Sequence, residues 1–236
     1  MLCVYINPSR FESRDDIEEV KLRCKNNNWI FGTTPLFEAI NKGSADVVKM
    51  LLENGSKPNV QNYYGETSLG NILHGIFVTN EAILEITECL LENGADVNQP
   101  NGAGDTPLHI ACKMKKSMEI IKLLVNSGAN INYQLLPDRR AVLWSDISID
   151  VYKFLIEAGA DVNVVARKRI ATPLMAAACY GCAKAVKVLI EFGADVNYIS
   201  EYGETALDVA GLDLVGLDVD YLLRTERGSK EEVMKI

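Results

Sequence analysis

Two histidines, six cysteines and a few paired carboxylates are the residues of this 236-residue chain that could do acid–base, nucleophilic or metal chemistry. Cys179-Tyr180-Gly181-Cys182 has CxxC spacing, which can bring two sulfurs onto one metal ion or onto each other. No second pair follows at zinc-ribbon distance and no thioredoxin-like strand–helix–strand pattern surrounds it. The two thiols therefore read as small residues packed at a helix end. His74 and His109 lack the local spacing of a metal or nucleophile site. Glu18-Glu19, and Asp213 with Asp218, have no partner acid or base and read as solvated surface. Phosphate loops, Gly-x-Ser-x-Gly turns and dinucleotide fingerprints are absent from the sequence. We expect no catalytic residue, metal or cofactor, and hence no enzyme.

The composition allows a folded chain with a substantial core, 48% hydrophobic and 24% charged. A formal net charge of −8 argues against general affinity for nucleic-acid phosphates or anionic lipid, which require a basic footprint. A basic protein partner fits better. The apolar stretch Leu2-Cys3-Val4-Tyr5-Ile6 follows no basic residue, and no apolar run approaches the ~18 residues of a membrane span. Cys3, Cys24, Cys89, Cys112, Cys179 and Cys182 lie in apolar, helical contexts, which suits reduced thiols. The expectation is a cytoplasmic protein, although delivery into a host cell would leave the same composition.

Self-similarity organises the chain. Gly-Ala-Asp-Val-Asn occurs at Gly94–Asn98, Gly159–Asn163 and Gly193–Asn197, with variants at Gly55–Asn59 and Gly128–Asn132. Thr-Pro-Leu begins at Thr34, Thr106 and Thr172, with variants at Thr67 and Thr205. Between each pair of motifs, apolar residues recur at helical spacing, predicting two short helices per unit. Thr then Pro suits a helix start, where the hydroxyl caps free N–H groups and proline loses no needed donor. Glycine suits the stop.

These residues resemble the ankyrin repeat, whose pattern Gly104-Asp105-Thr106-Pro107-Leu108-His109-Ile110-Ala111 matches throughout. The resemblance implies an all-α solenoid of stacked helix–turn–helix units with β-hairpin fingers, and a structural, hydrogen-bonding role for His109. It organises residues 1–236 as one domain: an N-terminal cap over 1–33 with a helix at Asp15–Lys25, five repeats over 34–204, and a capping repeat and tail over 205–236. Because no unit buries its apolar face alone, stability should come from neighbour interfaces.

The two halves of the repeat vary differently. From glycine to the next helix start the fingers take 12, 12, 13, 13 and 12 residues, whereas the helix pairs take 21, 27, 22, 18 and 21. Unit two therefore has about six extra residues around His74–Asn80, predicting a longer inner helix or an enlarged turn. Unit four is shorter and has Ala141-Val142-Leu143-Trp144 where the others start with Thr and Pro, so its first helix should be the least stable.

Surface display is the remaining route to function. In the family the finger tips and the exposed ends of the first helices line the concave face that holds partners. That register selects Tyr63, Tyr64, Lys113, Met114, Arg139, Arg140, Arg167, Lys168, Arg169, Tyr180 and Tyr202 as partner-binding residues. Tyrosine and arginine are enriched at binding hot spots. With Lys115 and Lys116, the cations form a basic strip around unit four, although charged loops are commonly no more than solvated. The reading is a monomeric protein-binding module, an inhibitor or scaffold. The alternatives are a bacterial immunity protein, a host-directed effector, or a nucleic-acid binder using the basic strip, which the net acidity disfavours.

Overall fold

A computed structural model of the chain describes residues 34–75, 78–134, 142–144, 147–166 and 172–210. The expected helix at Asp15–Lys25 and the cap and tail beyond Ala210 lie outside the described residues. The chain divides into two compact units, one ending at Ala129 and the other beginning at Asn130.

In the first unit the helices are α1 (Pro35–Asn41), α2 (Ala45–Glu53), α3 (Ser68–His74), α4 (Asn80–Glu92), α5 (Pro107–Lys113) and α6 (Met118–Asn126). Threonine opens all three inner helices, and its hydroxyl caps two of them as expected, Thr106 making no such cap bond. Thr34 Oγ1 accepts from the Phe37 amide and Thr67 Oγ1 from the Gly70 amide. Inner helices α1, α3 and α5 pack side by side, outer helices α2, α4 and α6 form a second row, and each inner helix packs on its own outer one. Leu36, Leu69 and Leu108, equivalent residues of the Thr-x-Leu motif, are all buried. Each contributes about 1.5–3 kcal/mol of hydrophobic stabilisation.

The helix-ending glycines act as read. Gly94 has φ +84°, its amide donates to the Leu91 carbonyl and the Ala95 amide reaches back to Leu90, which closes the last turn. Equivalent bonds close α2, α6 and, in the second unit, two further helices.

The six extra residues of unit two divide between two places. Inner helix α3 keeps the seven residues of α1 and α5, while the connection to α4 lengthens, bounded by Gly75 and Thr79. Outer helix α4 takes the rest, with thirteen residues against nine in α2 and α6. The added turn starts at Thr79, whose hydroxyl accepts from the Ala82 amide.

The second unit contains a 3-10 turn (Val142–Trp144), α7 (Ile149–Glu157), α8 (Pro173–Cys179), α9 (Ala183–Glu191) and α10 (Ala206–Ala210). Inner helix α8 packs against the 3-10 turn, α9 and α10, and α9 also meets α7. Every residue of α8 is buried, and its small side chains, Ala176, Ala177 and Ala178, admit neighbours closely. Where the other repeats have a seven-residue helix, the described residues of unit four include a 3-10 turn of three. Val142 and Leu143 still fill core positions, and the buried Tyr152 hydroxyl of α7 donates to the Leu143 carbonyl. Burial, with Cys182 nearby, pushes the Tyr152 phenol pKa up.

Between repeats an asparagine ladder explains the last residue of Gly-Ala-Asp-Val-Asn. Asn59 Nδ2 donates to the Gly94 carbonyl at 2.8 Å while Asn59 Oδ1 accepts from the Asp96 amide at 2.7 Å. Asn98 reaches the Gly128 carbonyl in the same way. In the second unit Asn132 joins Gly159 and Asp161, and Asn163 joins Gly193 and Asp195. One side chain thus satisfies a helix-end carbonyl and a turn amide of the following repeat.

Candidate protein-binding surface

The fingers are held by side chains more than by a β ladder. Among the described residues a single antiparallel bridge, Gln61 with Thr67, stands where a hairpin was expected. In the first finger Asn62 Oδ1 accepts from the Tyr64 and Glu66 amides, and the Asn62 amide and carbonyl bond to Glu66 and Gly65. Asn101 repeats this with Ala103, Asp105 and Gly104. In the second unit Ser200 does so with Tyr202, Glu204 and Gly203. Each tip is a short turn clamped from inside by one polar residue.

The first two fingers also touch backbone to backbone. The Gly102 amide donates to the Gly65 carbonyl at 2.8 Å, and a Cβ on Gly65 would lie 2.7 Å from Gly102 Cα. No side chain fits at either glycine. Gln61 Nε2 on the Pro100 carbonyl and Gln99 Nε2 on the Asn59 carbonyl complete the zipper.

Tyr63 and Tyr64 stand on this braced tip, 81% and 82% exposed, with ring centroids 5.8 Å apart in an edge-to-face pair. In the second unit Tyr202 is 67% exposed on its own finger. Tyr180 caps the C-terminus of α8 and is half-buried. Met114 caps α5, also half-buried. Arg139, Arg140, Arg167, Lys168 and Arg169 lie outside the described residues.

Two lysines of the expected basic strip, Lys113 and Lys116, are bonded within the first unit. Lys113 Nζ lies 2.9 Å from Asp105 Oδ2, a carboxylate whose side chain is 8% exposed. Such a buried carboxylate needs a cation or donors beside it. Lys116 Nζ donates to the Gly75 carbonyl at 3.0 Å, tying the start of α6 to the enlarged turn, and partial burial lowers its pKa. Lys115 has φ +51° at the turn where the corresponding residues of other repeats are Gly43 and Gly181.

One arrangement escaped the sequence reading. Gly70 takes the place that His109 holds in Thr106-Pro107-Leu108-His109, and a Cβ on Gly70 would lie 2.0 Å from Glu66 Oε1. The Glu66 carboxylate folds over the glycine, held by Asn101 Nδ2 at 3.3 Å and near His74 Nε2 at 3.6 Å. The missing motif histidine was the available signal. His109 itself is buried with Nδ1 2.7 Å from Thr106 Oγ1, the structural role expected for it.

Four cysteines lie among the described residues, and burial raises the pKa of two of them. Cys112 is buried and pushed up to about 12 by desolvation, and burial, with Glu92 next, raises Cys89. Cys179 is buried and Cys182 half-buried, neither of them in a disulfide. Among the described residues, no cluster of His, Cys, Asp or Glu could hold a metal, and no helix is long and apolar enough to cross a membrane. A groove of about 420 Å³ between α4 and α6, lined by Glu88, Leu91, Glu92, Ala95, Leu123 and Ser127, includes none of the predicted binding residues.

The family description "Ankyrin repeats (3 copies)" matches residues 64–135 and 140–230, and "Ankyrin repeat" matches residues 31–63. No curated protein matches the sequence. Among solved structures the chain is similar to the crystal structure of the ankyrin repeat domain of Bcl-3, described as a unique member of the IkappaB protein family. That likeness has 24% identity and a TM-score of 0.71, covers 83% of this chain and 87% of the other, and is one of fold. The motifs that cap the helices and carry the asparagine ladder fall inside the matched residues, and the chain belongs to the ankyrin-repeat family.

Proposed function

We propose that the chain is a non-enzymatic module that holds a protein partner against its finger tips and inner-helix ends, as an inhibitor or scaffold. Ankyrin repeats are in general protein–protein interaction modules. The observation that carries the reading is the Tyr63–Tyr64 pair, two aromatic rings presented to solvent on a finger braced by Asn62, Gly65 and Gly102. A preformed tip lowers the ordering cost of association.

The proposed contact set remains Tyr63, Tyr64, Lys113, Met114, Arg139, Arg140, Arg167, Lys168, Arg169, Tyr180 and Tyr202. Within it Lys113 has a second duty to Asp105, so substitutions there must be read alongside stability. The chain is proposed to act as a monomer in the cytoplasm, with residues 1–236 as a single domain. An immunity-type inhibitor is one form of the same reading.

Affinity capture from the native cell tests it. Wild type should retain a specific partner that is lost from Tyr63→Ala/Tyr64→Ala and from Arg139→Glu/Arg140→Glu/Arg167→Glu/Arg169→Glu. If both variants fold normally and keep that partner, the surface assignment is wrong.

A further inference from the structure

We propose that the Tyr63–Tyr64 tip seats a basic segment of the partner, an extended stretch whose arginine or lysine cation lies against the tyrosine rings. This rests on the protein-binding reading above and names the chemistry of the bound segment. Both rings are over four-fifths exposed and touch each other edge to face, so they add little to the core. The tip is fixed by backbone bonds to Asn62 and Gly102 that involve neither ring. The fold therefore gives no reason for aromatic residues here, whereas the next tip has Gly102 and Ala103.

The charge of the stretch of chain that carries the tip selects the occupant. From residue 58 to residue 112 the chain has seven Asp and Glu residues and no Lys or Arg. Glu81, Glu85, Glu88 and Glu92 are exposed along one face of α4. Lys113, the next cation in sequence, is paired with Asp105. The exposed Lys57 and the paired Lys113 bound this stretch, and its net negative charge disfavours an acidic segment. The negative ring faces of tyrosine attract ammonium and guanidinium groups. The acidic field would also speed their approach at low salt.

The test uses the whole chain and an octapeptide of alternating Gly and Arg, followed by NMR of the tyrosine ring resonances. Tyr63 and Tyr64 resonances should shift with this peptide and stay in place with the Gly-Glu octapeptide. Tyr63→Ala/Tyr64→Ala, which keeps every charge, should bind about tenfold more weakly, and Tyr63→Phe/Tyr64→Phe should stay within about twofold of wild type. Equal affinity in the alanine variant, or equal binding of the Gly-Glu peptide, overturns the proposal. If the cellular partner is lost from the alanine variant but the Gly-Arg peptide neither binds nor displaces it, the basic chemistry is wrong while protein binding stands. If that variant keeps the partner, the protein-binding role of this finger falls as well.

Discussion

Lys115 occupies the left-handed region at φ +51°, where the turns of other repeats have glycine. For a residue with a Cβ that conformation costs about 1–2 kcal/mol. Glycine would remove the cost and give back part of it through a freer unfolded chain. Lys115→Gly should therefore stabilise the protein by about 0.5–1 kcal/mol, seen as a higher urea midpoint at unchanged slope. Residue chemistry was legible where one residue carries the signal, as with the threonine caps and His109. It was not legible for Lys113, because its partner Asp105 lies in the preceding finger and only the fold brings the two to 2.9 Å. The glutamate over Gly70 was hidden for the same reason, although the absent histidine marked the place.

At the scale of elements the asparagine ladder links each repeat to the next through about thirty residues of intervening chain, as in Asn163 Nδ2 to the Gly193 carbonyl. Asn163→Ala removes that bond and the one from the Asp195 amide. At about 0.5–1.5 kcal/mol per net hydrogen bond, the loss should reach about 1–3 kcal/mol. Hydrogen exchange at the Asp195 amide should accelerate more than at the Leu189 amide, in the core of α9. Helix starts and stops were readable because caps and glycines are local. The lengthening of unit two was located correctly in the sequence, but part of it went to outer helix α4, where the Thr79 cap adds a turn. The irregular start of unit four was marked by its missing Thr and Pro, yet the anchoring of the Leu143 carbonyl by Tyr152 depends on a contact nine residues away.

For the whole molecule, the exposure of the proposed binding surface was legible as a register and its chemistry less so. Motif spacing placed Tyr63, Tyr64 and Tyr202 on exposed tips, while local sequence could not show that Lys113 and Lys116 are used inside the first unit. The single-domain proposal predicts one cooperative unfolding transition, since repeats coupled to their neighbours melt together. Far-UV circular dichroism and tryptophan fluorescence should give coincident urea curves. Two separated transitions would divide the chain, with the boundary between Ala129 and Asn130 as the candidate break.

The ladder and the clamped tips act as a gauge on the finger side. An asparagine at the start of one finger meets the glycine that ends the next helix pair, and Gly65 must meet Gly102, so residues added at the Tyr64 tip would part that backbone contact. The described turns between paired helices are tied by side chains, as by Lys116 on the Gly75 carbonyl, and helix pairs of 18 to 27 residues stand beside fingers of 12 or 13. Foreign loops grafted after Gly75 should therefore be accommodated where the same insert behind Tyr64 would disrupt the stack, making the unit-two turn the natural entry point for re-engineering this scaffold.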